Sequence, residues 1–415
     1  MAWSILPNLQ LEGNGRYSYT DRTTTNEKFT EQFRSGASSL FSQESQDLRS
    51  FTHNVGSQMR LTYKIDSLTE VVFRPSIWWN RTYDLGYNTT STWEDQAHPI
   101  SRASTQYNTS GNTLWAGGDL DISRRLSSKG RVSSLAIRGG YNENQNEGTY
   151  LASFSGQGSG SGNNQNRDLL QQDNNYTTST TLRLSYVELL TSQLFLQALG
   201  EWRHNACKGD RQVFSPNPEG KYTLLDETFT SQFTSKLDAY RGAPNLQFRT
   251  KGFDITAGLG LESSKMTTQY LGTPWVNQQL FVVPNARINV QPSKQTMWRL
   301  DYRGRTEMPS VALMIPTIDP TDLLRITEGN NQLKPSFTQQ VYSFFRTFDP
   351  TTRLAVNLFM DANYVLNGIA SVVRYDNTTG QQRIGYRNVN GNASVRMFGM
   401  SSMPFFSPPL AYPQF

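Results

Sequence analysis

Along most of this chain apolar side chains recur at every second position. Examples are Leu9, Leu11, Tyr17 and Tyr19; Met59, Leu61, Tyr63 and Ile65; and Val71, Phe73, Pro75, Ile77 and Trp79. The same spacing returns at Leu114–Ile122, Leu135–Tyr141, Leu194–Trp202, Ile255–Leu261 and Trp298–Tyr302. It is cleanest at Leu354, Val356, Leu358, Met360, Ala362 and Tyr364. A strand sends successive side chains to opposite faces, so a period of two marks strands with one apolar face. It predicts about fourteen strands of roughly 10–14 residues. No stretch carries an apolar stripe of helical period over three turns, and the chain reads as all-β.

The links constrain the fold further. Short ones fall near 66–69, 126–130, 189–192, 250–252, 291–294 and 348–351. Long ones occupy about 21–55, 84–111, 144–176, 207–236, 267–278, 306–334 and 367–385. Short and long alternate throughout. A Greek-key sandwich has no reason to sort its loops in this way. An outer-membrane barrel has tight periplasmic turns and long outer loops. Residues between the apolar ones are polar or charged: Asp119 and Asp121; Gln197, Glu201 and Arg203; Arg299, Asp301 and Arg303; Asn357, Asp361 and Asn363. An apolar outer face and a charged inner face suit a barrel with a wet or plugged lumen. The expected fold is an antiparallel up-and-down transmembrane β-barrel forming a single domain over 1–415, with the charged residues as candidate lumen lining. The loops are rich in Asn, Thr, Ser, Gln and Gly, and the stretch 155–164 reads as flexible.

Composition removes other classes. The 415 residues include no apolar run long enough for a transmembrane helix. One cysteine and three histidines support neither a disulfide framework nor a structural zinc site. A net charge of +5 is too diffuse to imply nucleic-acid binding. Mean hydropathy is strongly negative, yet 8 Trp, 19 Tyr and 22 Phe argue against disorder. The first residues lack a basic segment followed by an apolar one, so no signal peptide is read there.

Chemical motifs have ordinary readings. Gly156, Gly158, Gly160 and Gly162 lack a strand-to-helix context for phosphate binding. Cys207 and His204 lack a third orienting group, and no catalytic site or cofactor is expected. Asp119 and Asp121 could hold a cation, but a solvated pair is the simpler reading. Trp78, Trp79, Trp115, Trp202, Trp275 and Trp298 are candidates for an interfacial girdle. The sequons at Asn88, Asn108, Asn175 and Asn377 read as chance in an Asn/Thr-rich chain.

Several turns and loops resemble the barrel of TonB-dependent outer-membrane receptors. The segment Tyr302–Ser310 followed by 325–336 is similar to that family's run of a Tyr-Arg strand end, a Pro-Ser step and Gly-Asn-Pro-x-Leu-Lys-Pro-Glu. Pro309, Gly329, Asn330, Leu333, Lys334 and Pro335 match, while Asn331 and Ser336 replace the usual proline and glutamate. Gly130 and Arg131 resemble a Lys-Gly-Arg turn, Tyr186 and Glu188 a Tyr-x-Glu-Pro-Leu turn with Leu189 for the proline, and 386–391 a late strand start. The resemblance implies a barrel of about 22 strands, a plug, a signal and a TonB-contacting box. The chain carries none of the last three and fewer strands, and 406–415 holds three prolines unsuited to a ladder. An internal barrel fragment is therefore expected. The resemblance further implies the outer membrane of a Gram-negative bacterium, lipid contact, a TonB complex reached only through a plug, and a surface lipoprotein partner. Its activity would be uptake of a substrate left open among iron chelates, glycans, peptides and vitamins. Two other classes remain: a surface barrel serving as adhesin or structural protein, and a soluble secreted β-protein.

Overall fold

The computed structural model describes residues 2–33, 38–95, 98–128, 130–156, 165–318, 325–375 and 382–403. The flexible-loop reading at 155–164 (apart from its first two residues), Lys129, Asn377 and the proline-rich 406–415 lie outside these residues. Along the chain the first strands are β1 (Ala2–Leu6), β2 (Leu9–Gln32), β3 (Leu40–Lys64), β4 (Thr69–Asp95) and β5 (His98–Arg125). There follow β6 (Val132–Gly156), β7 (Gln165–Leu189), β8 (Leu194–Pro216), β9 (Tyr222–Leu225) and β10 (Ser231–Thr250). Next come β11 (Phe253–Tyr270), β12 (Thr273–Val290), β13 (Met297–Glu307) and the short helix α1 (Val311–Met314). The chain continues through β14 (Thr317–Ile318), β15 (Arg325–Thr327), β16 (Ser336–Phe348) and β17 (Ala355–Leu366). It ends in β18 (Gly368–Tyr375), β19 (Gln382–Val389) and β20 (Asn392–Ser402).

Fifteen strands form one antiparallel sheet in chain order, each paired with the next: β1 to β8, β10 to β13, β16, β17 and β20. This is the up-and-down topology expected from the links. Among the described residues the first and last strands of this order do not pair with each other. A second sheet, β14-β15-β19-β18, is built from the links that follow β13 and β17.

The sheet has little hydrophobic core of its own. Its even–odd alternation leaves one face studded with exposed apolar groups, among them Tyr17 (63% exposed), Leu259 (57%) and Leu280 (70%). So large an apolar face is stable only against another apolar phase. The closely packed clusters form instead where the links lie against the ends of the strands. Met266, Met314 and Leu333 are buried together against Leu237, Trp275, Met308, Leu313, Ile369 and Tyr386. Leu169, Val213 and Phe229 form another, joined by Ile318.

The strands are longer than the apolar alternation. β2 to β8 run for 23 to 28 residues, where a tilted strand crosses a bilayer in about 9–11. Most of the expected long links at 21–55, 84–111, 144–176 and 207–236 are therefore strand. The reason is physical: beyond the lipid both faces of the sheet meet water, so a paired strand there needs no apolar face. Its Thr and Tyr still favour the extended backbone. The link at 267–278 is shorter still, a two-residue turn with Leu271 at φ 46 and Gly272 at φ 83, the geometry of a type I′ hairpin. The links at 306–334 and 367–385 remain long, and both hold structure of their own. Asn88, Asn108 and Asn175 stand within β4, β5 and β7.

The short turns are closed by side-chain oxygens. Asp66 accepts the backbone N–H groups of Leu68 and Thr69 at 2.7 and 2.6 Å. The Leu68 N–H in particular holds the Asp66 carboxyl below its usual range. A carboxylate depressed in the folded state stabilises above its unfolded value and loses that contribution as pH falls through the folded one. Asp66→Ala is thus expected to lower the unfolding temperature of the micelle-embedded protein equally from pH 6 to 8. The gap to wild type should close below about pH 4; a gap that persists at pH 2 would show that the carboxylate charge is not the cause.

Candidate functional site: a charged wall and a loop clip

Neighbouring strands set the polar side chains of the sheet side by side in rows. One row is Arg183, Glu201, Arg241 and Glu262 across β7, β8, β10 and β11. Another is Gln247, Thr256, Arg287, Asp301 and Tyr342 across β10 to β13 and β16. Each stands opposite the apolar face, because neighbours in sequence such as Leu184, Tyr240, Leu246, Phe248 and Leu261 carry the exposed apolar side chains.

Pairing within these rows is dense. Asp301 is 5% exposed and takes Arg287 Nε at 2.6 Å, Arg299 Nε at 2.5 Å and Arg303 Nη2 at 3.8 Å. Glu262 is 3% exposed; Arg203 Nη2 reaches it at 2.7 Å and the Thr306 hydroxyl donates to it at 2.5 Å. Arg203 also lies 3.3 Å from Glu201, which Arg183 Nη2 meets at 2.5 Å. Further along the same face, on β4 to β6, Arg74 binds Asp121 at 2.6 Å and Arg138 lies 3.9 Å from Asp119. Asp119 and Asp121 are thus matched by arginines.

All seven charged candidates, Asp119, Asp121, Glu201, Arg203, Arg299, Asp301 and Arg303, stand on this one face, in two groups. Sequence reading omitted Glu262, Arg287, Arg183 and Arg241. The signal for Glu262 was present, since it follows Leu261 and so takes the opposite side. His204 and Cys207 stand on opposite faces of β8, and His204 Nδ1 meets Asp238 at 2.8 Å. The tryptophans also divide. Trp79, Trp202 and Trp298 share the apolar face, whereas Trp78 and Trp115 are cross-strand partners on the polar face and Trp275 packs in the link cluster.

The motif residues do something different: they tie two links together. Pro309 is buried and precedes Ser310, the residue before α1. Gly329 lies against α1, where a Cβ would stand 2.1 Å from the Ile315 carbonyl carbon. Asn330 Nδ2 donates to the Tyr386 carbonyl at 2.9 Å, and Leu333 is 1% exposed in the link cluster. The Lys334 N–H donates to Asn388 Oδ1 at 2.8 Å, while Asn388 Nδ2 donates to the carbonyls of Lys334 and Asn367 at 2.9 and 2.8 Å. Pro335 is buried beside them. β15 and β19 pair in parallel through the same join. At the short-turn end, Gly130 takes φ 106. Arg131 Nε meets Glu188 at 2.7 Å, and the Tyr186 hydroxyl also donates to Glu188. The motif at 329–335 and the pair 186–188 with 130–131 therefore hold links in place, and neither lines the wall.

One solved structure shares this architecture. The copper transporter OprC superposes with a TM-score of 0.54 at 10% identity, covering 94% of this chain and 58% of that one. The Serratia marcescens hemophore receptor HasR, solved with its hemophore HasA and heme, gives 0.47 at 11%, covering 95% and 61%. The ferric citrate transporter FecA gives 0.45 at 10%, covering 96% and 57%. The chain thus spans somewhat under two thirds of the length of these proteins. No curated protein matches it. The model of the outer membrane protein beta-barrel family matches residues 124–408, more than half of the chain. This all-β, up-and-down chain of the Gram-negative outer membrane belongs to that family.

Proposed function

We propose that the chain forms barrel wall of a TonB-dependent receptor that takes up a substrate across the outer membrane. One observation carries the reading: the sheet keeps a continuous, salt-bridged polar face opposite a face of exposed apolar side chains. A barrel that only anchors loops could fill a narrow interior with packed side chains. Buried acids ringed by arginines are costly without a wet or protein-filled lumen to face. On this reading Asp119, Asp121, Glu201, Arg203, Arg299, Asp301 and Arg303 line that lumen. The clipped links after β13 and β17 form part of its outer mouth. Energy coupling would require a plug that contacts TonB, and the wall residues described here perform no chemistry on the substrate.

The test is disruption of the gene in its own cell, followed by growth on a panel of iron chelates, glycans, peptides and vitamins as limiting nutrients. Uptake predicts a defect on one nutrient, reproduced in the intact strain when TonB is depleted. Normal growth on every nutrient together with lost surface attachment would favour the adhesin reading instead.

A further inference from the structure

The polar face is hollowed over β10 to β13. On β11 the two positions that face this side between Thr256 and Glu262 are Gly258 and Gly260, and their partner on β10 across Gly260 is the small Ala243. The side chain of Asn245 fills the space over Gly258, where a Cβ would meet its Oδ1 at 1.8 Å, and beside these residues lies a recess of about 510 Å³, within the range of small-molecule sites. Around it rise Arg241, Arg287, Arg303 and Arg305, with Asp301 the single acid in the lining.

The charges do not cancel. Asp301 is already engaged by Arg287 and by Arg299, which lies outside the recess. Arg305 and Arg241 have no ion-pair partner among the described residues, and Arg241 Nε is buried without a hydrogen bond. Asn245, 7% exposed, also has an unpartnered Oδ1 in this lining. The arginine excess disfavours a cation. A sugar would want an aromatic platform, but the lone aromatic in the lining, Tyr302, alternates onto the apolar face with Leu300. Guanidinium groups are weakly hydrated, remain charged and match planar or tetrahedral oxyanions in bidentate fashion.

We propose that this recess binds a small multivalent oxyanion, a polycarboxylate or a phosphate-bearing solute, held chiefly by Arg241, Arg303 and Arg305. The site rests on reading this face as the lumen wall, and it narrows the substrate class of the uptake proposed above to anionic solutes. Binding to the purified chain needs no TonB, so its failure is separable from a failure of uptake.

The experiment is calorimetric titration of the full chain in non-ionic detergent at low ionic strength, with tricarballylate and with pyrophosphate as probes. Saturable one-to-one binding of at least one probe is expected. Binding of tricarballylate alone would assign a carboxylate ligand, and of pyrophosphate alone a phosphate. The double variant R303Q/R305Q should weaken it at least tenfold, and Lys251→Gln, in a turn away from the recess, should leave it unchanged. Arg305→Gln breaks no ion pair and serves if the double variant does not fold; it should weaken binding at least threefold. No saturable binding of either probe, or equal affinity in wild type and Arg305→Gln, would overturn the proposal. So would equal loss in Lys251→Gln, which would mark non-specific attraction to net charge.

Discussion

Asp301→Ala is expected to destabilise the folded barrel wall more than removal of any other single acid on it. The carboxylate is 5% exposed and holds three arginines within 3.8 Å. Removing it leaves Arg287, Arg299 and Arg303 facing one another. Breaking a buried pair by deleting one partner costs about 3–5 kcal/mol. Here the arginine side chains are 38–61% exposed, so water screens part of the repulsion and about 2 kcal/mol is the expected loss. Asp121→Ala is the contrast: its side chain is 35% exposed and meets one arginine, itself 39% exposed, so less than about 1 kcal/mol is expected. The readout is the temperature at which the heat-modifiable folded band disappears on gels. Equal shifts for the two variants would show that the Asp301 cluster is no more than a solvated surface network.

Asp301 could be read from the sequence because it sits between Leu300 and Tyr302, where lipid on one side and polar surroundings on the other impose opposite residue types. The same contrast exposed Glu201 and Arg203 beside Trp202. It fails wherever both faces meet one solvent. The distal half of β2, Thr20–Gln32, carries polar residues at both parities and so reads as loop, although it pairs with β3 without interruption. The turn at Leu271–Gly272 was hidden for another reason: the positive φ at Leu271 is unusual for a branched side chain, so the sequence around it carries no hairpin signal. The recess was hidden as well. Gly258 and Gly260 look like gaps in the polar row until the register places Arg241, Asn285 and Arg303 around them. Which residues share a face is a local property of sequence; which rows meet is a property of pairing.

The motif at 329–335 shows the converse, a segment legible as a resemblance whose physical work only the pairing reveals. Gly329→Ala is expected to open the clip between the two links while leaving the fifteen-strand sheet intact. The added Cβ would lie 2.1 Å from the Ile315 carbonyl carbon, 2.3 Å from its oxygen and 2.6 Å from the Met314 oxygen. These are backbone atoms, and they are fixed in place. Ile315 N–H bonds Val311 O at 3.1 Å, and Asn330 N–H bonds Leu313 O at 3.0 Å. A side-chain tip could swing aside; this backbone can yield only by moving the whole segment. The movement would draw Leu333 out of the cluster with Met266 and Met314 and strain the Lys334–Asn388 bonds. Overpacking of this kind costs about 1–3 kcal/mol, enough to populate the open link. Thermolysin digestion of the folded protein in detergent should then cut between residues 308 and 335 at least tenfold faster than in wild type. Asn388→Ala removes three hydrogen bonds of 2.8–2.9 Å from the other side of the clip and should expose the same region without touching Gly329. Asn331→Pro restores the residue usual in the family run and should leave protection unchanged or raise it. If Gly329→Ala and Asn388→Ala both resist cleavage as wild type does, the two links are held by their apolar cluster alone and the motif is not the clip.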